Sequence, residues 1–178
     1  MITIISGTNR PNSRTEFIAD EVYKLIQNHT NEEVNLIKLN EVPSDFVHNQ
    51  MYSFKDQHPY ITEIQDKYIT PSNKWIVISQ EYNGSYSGIL KVFLDALSVR
   101  NYKETFNLKN VGLIGVASGR SGNLRGLDHL TTAFNYLGVI VYPNRLPLSL
   151  IEKRIIDNAI DDLTKEELNF FLESFVAF

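Results

Sequence analysis

Short β-branched runs alternate with helical patterns along the chain, and this alternation restricts the possible folds more than any other feature. Short β-branched or apolar runs predict five strands, at residues 2–6, 34–39, 75–79, 111–117 and 139–142. Apolar residues at helical spacing predict helices between them, at residues 14–28, 61–69, 89–97 and 124–137. We therefore predict an α/β fold with a doubly wound, five-stranded parallel sheet of order 2-1-3-4-5 and helices on both faces. A single domain covering residues 1–178 is expected.

The remaining segments carry weaker patterns. Residues 40–58 show little periodicity and predict a long loop, and Gly138 is expected to end the fourth helix. The tail predicts helix, with one apolar face formed by Ile155, Ile156, Ala159, Ile160 and Leu163. Residues 164–167 (Thr-Lys-Glu-Glu) read as a capping box for the last helix.

Composition excludes several classes of protein. The chain has 178 residues, a net charge of −4 and no cysteine, so disulfides, thiolate metal sites and a cysteine nucleophile are impossible. The four histidines are scattered, and no metal site is expected. Without a basic run or an apolar run of membrane-spanning length, we expect neither a nucleic-acid nor a membrane partner. The first predicted strand begins at Ile2 and leaves no room for a signal peptide, so a cytoplasmic protein is expected.

The loop after the first strand has the features of an anion site. Strand, polar turn and helix follow one another here, a geometry that points backbone N–H groups at an anion. Arg10, Ser13 and Thr15 add a guanidinium and two hydroxyls. The alternative is a helix start capped by Ser13 and Glu16, which needs no ligand. The loop lacks G-x-G-x-x-G and Gly-Lys-Ser/Thr, so it is neither a dinucleotide loop nor a P-loop.

Two more polar loops are expected at the same edge of the sheet. Strands one, three and four are neighbours in the predicted order, so the loops at 7–15, 80–88 and 118–122 meet in one crevice. In the second loop, glycines allow close approach of a flat ligand, and Tyr82 and Tyr86 offer stacking faces. The alternative is a plain polar connection in which Ser87 caps the next helix. A phosphate site beside a site for a flat ring describes a mononucleotide.

The two longer loops resemble the signatures of the NADPH-dependent FMN reductase family. That family has G-S/T-x-R-x-x-S after strand one and P-E-Y-N-G-S-x-P-G-x-L-K-N after strand three. This chain has Gly-Thr-Asn-Arg-Pro-Asn-Ser at 7–13 and Gln-Glu-Tyr-Asn-Gly-Ser-Tyr-Ser-Gly-Ile-Leu-Lys at 80–91. Residues 115–143 are similar to the family's third loop and following helix. The departures are Gln80 and Ser87 in place of the two prolines, and Val92 in place of asparagine.

The resemblance implies a flavodoxin-like fold and a set of FMN-binding residues. The phosphate would be held by Thr8, Arg10, Ser13 and Thr15. The isoalloxazine ring would be framed by Gln80, Glu81, Tyr82, Asn83, Gly84 and Ser85, with Ser118 and Gly119 at its edge. Gln80 restores an N–H that proline lacks and loosens the turn.

We expect an FMN-dependent NAD(P)H oxidoreductase. Hydride would pass from NADPH or NADH to bound FMN, and on to a flavin, quinone, azo compound or similar small-molecule acceptor. Because the cofactor carries the chemistry, no catalytic acid or base is predicted. The alternatives are a flavodoxin-type electron carrier without NAD(P)H activity and a nucleotide-binding protein that reduces nothing.

Two expectations concern the surroundings of the site. Residues 40–58, with Tyr82 and Tyr86, are expected to line the cleft above the flavin. The resemblance implies a homodimer or homotetramer, and the segment 101–106 is expected to be partly buried only in such an oligomer.

Overall fold

The computed structural model describes residues 1–53, 55 and 57–178. Its strands are β1 Ile2–Ser6, β2 Val34–Lys38, β3 Lys74–Gln80, β4 Asn110–Val116, β5 Ile140–Val141, β6 Leu146–Leu148, β7 Ile155–Ile156 and β8 Ala159–Ile160. Its α-helices are α1 Arg14–Ile26, α2 Pro59–Ile64, α3 Gly88–Ser98, α4 Tyr102–Phe106, α5 Leu124–Leu137, α6 Ile151–Arg154 and α7 Asp162–Ala177. A π-helical turn, Gln65–Ile69, continues α2, and a 3₁₀ turn lies at Ser44–Phe46.

The main sheet is parallel, with the order β2-β1-β3-β4-β5, which confirms the predicted fold. The last position differs in detail, because two short strands share it. β5 pairs with the start of β4, and β6 pairs with its end, where Val116 lies opposite Leu148. Pro143 separates the two strands and has no N–H for a ladder bond. The sequence therefore predicted β5 but missed β6.

Each face of the sheet buries its own hydrophobic core. The first contains Trp75 of β3 with side chains of α3 and α5, and the second contains Ile76 with side chains of α1 and α7. Consecutive residues of β3 thus enter opposite cores, as the period of a strand requires. Both faces are covered, which explains why the central strands read as continuous apolar runs.

The first part of the tail forms a hairpin, so the helical face predicted from Ile155 to Leu163 is wrong. β7 and β8 pair antiparallel, with Ile155 opposite Ile160. Asp157 and Asn158 connect them with φ of 49° and 60°. Two left-handed residues between short strands favour a tight hairpin turn, and Asp and Asn tolerate that conformation well.

The start of α7 also corrects the sequence analysis. The predicted capping box at 164–167 is wrong, because the helix begins at Asp162 with Asp161 as its N-cap. The Thr164 N–H donates to the Asp161 carboxylate at 2.7 Å. Thr164 is buried within the first turn, and its hydroxyl accepts from Arg154. A capping aspartate three residues upstream therefore takes the place of the threonine.

The end of the segment 101–106 is buried within a single chain, where Thr105 and Phe106 are both fully covered. Phe106 is fully buried, and its ring meets that of Trp75 edge-on at 5.8 Å between centroids. Tyr102 keeps 40% of its surface exposed. The prediction that this segment is covered only in an oligomer is therefore wrong for Phe106.

Two further predictions about helices and loops are resolved. Gly138 ends α5 with a φ of 87°, as predicted. The described part of 40–58 is mostly turns, with three buried apolar residues: Val42, Phe46 and Met51. Residues 54 and 56 of that predicted loop lie outside the described residues.

We expect Gly115→Ala to destabilise the protein strongly. A Cβ at this position of β4 would lie 2.1 Å from the carbonyl oxygen of Gly122, a backbone atom that cannot move aside alone. Overpacking of this kind costs about 1–3 kcal/mol or more, and chemical denaturation measures it as a lower free energy of unfolding. Gly88→Ala is the control, because its Cβ has no neighbour within 4 Å. Equal stability of the two variants would contradict the packing described here.

Candidate functional site

A cavity of about 460 Å³ opens at the carboxyl ends of β1, β3 and β4. It lies where the predicted order of strands placed the crevice. Eight of the twelve predicted site residues line it: Thr8, Arg10, Ser13, Thr15, Gln80, Glu81, Tyr82 and Ser118. The other four, Asn83, Gly84, Ser85 and Gly119, lie outside its lining.

The β1–α1 loop forms an end of the cavity that is rich in hydrogen-bond donors. Ser13 is the N-cap of α1, and its hydroxyl accepts from the Glu16 N–H at 3.1 Å. The Glu16 carboxylate in turn accepts from the Asn12 N–H at 2.9 Å. These bonds form the helix start expected from the sequence. They leave the N–H groups of Arg14 and Thr15 as donors without an intrahelical acceptor.

Two guanidinium groups give this end of the cavity a positive charge. Arg10 and Arg14 both line it, and in the part of the chain that the structure describes neither lies within 4 Å of a carboxylate oxygen. The helix start adds a partial positive charge of its own. Anions are therefore stabilised at this end.

The β3–α3 loop is held in place from two sides. The Glu81 N–H donates to the Val116 carbonyl at 3.0 Å, and the Glu81 carboxylate accepts from the Ser121 hydroxyl at 2.7 Å. Glu81 thus orients the loop through its backbone and its side chain. Tyr82 remains 40% exposed at the rim of the cavity.

The tip of this loop explains why three predicted residues lie outside the lining. Tyr82 and Ser85 exchange backbone hydrogen bonds of 2.8 and 3.0 Å around Asn83 and Gly84, whose φ values are 52° and 76°. Beyond this turn, the Ser85 hydroxyl pairs with His129 of α5 at 2.8 Å. These three residues are thus bonded within the loop and to α5, and they do not belong to the lining.

Ser87, one of the two residues in place of a family proline, links two loops. It is the N-cap of α3, and its hydroxyl also donates to the carbonyl of Gly7 in the β1–α1 loop. A proline could make neither bond, because it has no side-chain hydroxyl. The departure therefore replaces a rigid residue with a hydrogen bond between the first and second loops.

Helix α6, which follows β6, contributes lining residues that were not predicted from the sequence. Ile151 and Glu152 of α6 line the cavity, and the Ser118 hydroxyl donates to Glu152 at 2.6 Å. This hydrogen bond lowers the pKa of Glu152, and the nearby positive charge of Arg14 lowers it further. The sequence feature that could have indicated these residues is the short apolar run 146–148. It forms β6, which brings α6 to this edge of the sheet.

Four other members of the lining were not among the predicted site residues: Asn12, Arg14, Val116 and Ala117. Asn12 and Arg14 lie inside the loop whose other members were predicted. Val116 and Ala117 are apolar and belong to no sequence motif that would indicate a binding site. Position at the end of a central strand is what brings them to the cavity.

The expectation that residues 40–58 and Tyr86 line the cleft is wrong for this cavity. Neither Tyr86 nor the described residues of 40–58 belong to its lining. Tyr86 is half-buried against the core shared with α3, and this burial raises the pKa of its phenol. Phe46 and Met51 are buried in the same core.

Metal-binding clusters and membrane-spanning helices are both absent from the described residues. Residues 1–53, 55 and 57–178 contain no group of three His, Asp or Glu side chains placed to hold a metal ion. Of the helices that the structure describes, none has both the length and the apolar character needed to cross a bilayer.

Residues 1–151 match the family model of the NADPH-dependent FMN reductases. The chain belongs to this family. Membership confirms the resemblance carried by the loops at 7–13 and 80–91.

Curated relatives and solved structures agree with this assignment. The FMN-dependent NADPH-azoreductase of Staphylococcus aureus is 32% identical over 149 residues, which span 80% of this chain and 73% of that protein. The enzyme of the same description from Staphylococcus saprophyticus is 32% identical over 57% of this chain and 52% of its own length, so that match spans only about half of the relative.

Two solved flavoenzymes share the fold. FerB, an NAD(P)H:(acceptor) oxidoreductase of Paracoccus denitrificans, superposes with a TM-score of 0.79 at 20% identity, over 99% of this chain and 94% of its own. The apo form of the NADH:FMN oxidoreductase EmoB gives a TM-score of 0.76 at 19% identity, over 98% and 87%. This chain thus shares the fold of these two flavoenzymes.

Proposed function

We propose that this protein is an FMN-dependent NAD(P)H oxidoreductase that passes electrons to a small-molecule acceptor. One observation carries the proposal. In a single cavity, the donor-rich start of α1 faces the ends of β3 and β4, and the chain belongs to a family of FMN reductases. One end of the cavity suits a phosphate and the other suits a flat ring.

The residues of the cavity fit FMN. A terminal phosphate would meet the helix start, the hydroxyls of Ser13 and Thr15, and the guanidinium of Arg10. The ring would lie against the ordered backbone of Glu81 and Tyr82. When bound, FMN would supply the two-electron chemistry, since nicotinamide hydride reduces it and an acceptor oxidises it.

The positions of the two arginines separate their roles. The charge of Arg14 acts on Glu152, whose pKa it helps to lower, so part of its field is already offset by a carboxylate. Among described residues, Arg10 has no such partner within 4 Å. We therefore assign the main cationic contact with the phosphate to Arg10.

The names of the relatives support a choice of substrates to test first. The Staphylococcus aureus relative is described as an NADPH-azoreductase, which favours NADPH as donor and azo compounds as acceptors. Quinones and free flavin remain in the proposed class. The alternative, an electron carrier without NAD(P)H activity, is less well supported, because the matched family consists of reductases.

We also propose that the protein forms a homodimer or homotetramer. Tyr102 and Tyr136 are exposed beside a groove between α3 and α5, a surface that a second copy would cover. Light scattering at micromolar concentration is expected to give at least twice the chain mass of 20.4 kDa. A particle of 20.4 kDa would contradict this part of the proposal.

We expect Arg10→Ala to weaken FMN binding by about ten- to a hundredfold. A hydrogen bond to a charged group contributes roughly 1.5–3 kcal/mol, and each 1.4 kcal/mol changes affinity about tenfold. Titration of the apoprotein with FMN, followed by fluorescence, measures the change. Arg125→Ala is the matched control, because Arg125 is an exposed arginine of α5 outside the cavity.

A larger loss of affinity in Arg14→Ala than in Arg10→Ala would contradict the assignment of roles. We expect Arg14→Ala to have the smaller effect, since Glu152 already offsets part of its charge.

The enzyme and the carrier are distinguished by anaerobic reduction. We expect NADPH or NADH to bleach the flavin absorbance within seconds in a stopped-flow instrument. Steady-state rates with an azo compound or quinone are expected to follow ping-pong kinetics, since donor and acceptor would use one cavity in turn. A flavin that dithionite reduces but neither nicotinamide does would identify a carrier instead.

A further inference from the structure

Gln80 is a buried polar residue whose side-chain amide has no hydrogen-bond partner among the described residues. It is 7% exposed, and both the amide nitrogen and the amide oxygen lack a hydrogen-bond partner among the described residues. A buried polar group that makes no hydrogen bond destabilises the folded protein, because it has lost its bonds to water. Such a group calls for an explanation, and a hydrogen bond to a bound ligand supplies one.

The fold places Gln80 in the middle of the cavity. β3 lies between β1, whose loop forms the anion end, and β4, whose loop carries Ser118. Alternation along β3 puts Gln80 on the same face as Ile76 and Ile78, the face covered by α1. Gln80 therefore lies on the α1 side, between the anion end and the ring end.

Hydrogen bonds fix the backbone of Gln80, so the position from which its side chain extends is defined. Gln80 pairs with Val116 in the β3–β4 ladder, and Val116 also lines the cavity. The Asn123 amide donates to the carbonyls of Ser79 and Gln80 at 3.0 Å each, from the opposite face. Only the three side-chain torsions of Gln80 remain free to meet a ligand.

We propose that the Gln80 amide hydrogen-bonds the ribityl hydroxyls of FMN, the linker between phosphate and ring. This inference rests on the proposed function. A ribityl hydroxyl both donates and accepts, and an amide offers an acceptor oxygen and two N–H donors, so the two groups match in both directions. A proline at this position, as in the family signature, offers no side-chain donor or acceptor. The contact is thus a specific property of this chain.

The test compares three flavins that differ in the parts they carry. FMN has ring, ribityl chain and phosphate, riboflavin lacks the phosphate, and lumiflavin is the ring alone. We expect Gln80→Leu to weaken FMN and riboflavin about 3- to 30-fold, as the loss of one or two hydrogen bonds predicts, and to leave lumiflavin unchanged. Fluorescence titration of the apoprotein measures all three dissociation constants.

Arg10→Ala is the matched control for the phosphate. It should weaken FMN alone and leave the other two flavins unchanged. A second measurement guards against misfolding. Because Gln80→Leu removes an unsatisfied buried amide at similar volume, the flavin-free variant is expected to melt at a higher temperature than the unaltered protein.

Two results would overturn the inference. Equal losses for all three flavins would place the amide against the ring, and no loss for any would show that it does not contact the flavin. Failure of the unaltered protein to bind any of the three flavins would overturn the proposed function as well, and is distinct from both.

Discussion

The parallel pairing of β1, β3 and β4 is the constraint on which the candidate site depends. Parallel strands end at one edge, so three loops distant in sequence become neighbours in space. The register determines where along the sheet each loop begins. Ser6 of β1 lies opposite Ile78 of β3, and Gln80 of β3 lies opposite Val116 of β4. The loops therefore leave the sheet at positions that enclose one cavity. Helices on both faces bury the apolar side chains that hold this register.

Hydrogen bonds between the loops convert that proximity into a defined shape. Ser87 bonds Gly7, Ser121 bonds Glu81, and Ser118 bonds Glu152. Each bond joins two segments that are distant in sequence, so the segments hold one another in position. Positive charge enters the cavity from two guanidinium groups and the start of α1, and one carboxylate, that of Glu152, lies near Arg14 and offsets part of this charge. The arrangement favours a ligand that carries its negative charge at one end only.

Most of the fold was predictable, because the spacing of apolar residues and the length of each apolar run can be read from the sequence. The continuous run of β3 and the helical spacing of α3 both identify buried elements directly. The hairpin of β7 and β8 was missed because Ile155, Ile156, Ala159 and Ile160 also fit a helical face. Only the left-handed Asp157–Asn158 turn separates the two interpretations. β6 was missed because its three residues, Leu146, Pro147 and Leu148, form an apolar run that is too short to show the period of a strand.

The candidate site was predictable to the extent that it lies in loops with distinctive residues. Thr8, Arg10 and Ser13 belong to a recognisable loop and do line the cavity. Glu152 was missed because its place depends on the pairing of β6 with β4, a long-range contact. Asn83 and Gly84 were assigned to the ring site. They form a turn with positive φ values outside the lining, and their contact with a ring stays a prediction.

The central claim is that this cavity holds a flavin with a single terminal phosphate. The most direct measurement is chromatography of the chromophore released by heating the purified protein, together with its absorbance spectrum before release. The account predicts a yellow protein that releases FMN, since the β1–α1 loop lacks the glycines of a pyrophosphate site. Recovery of FAD, or an apoprotein that does not bind added FMN, would contradict it.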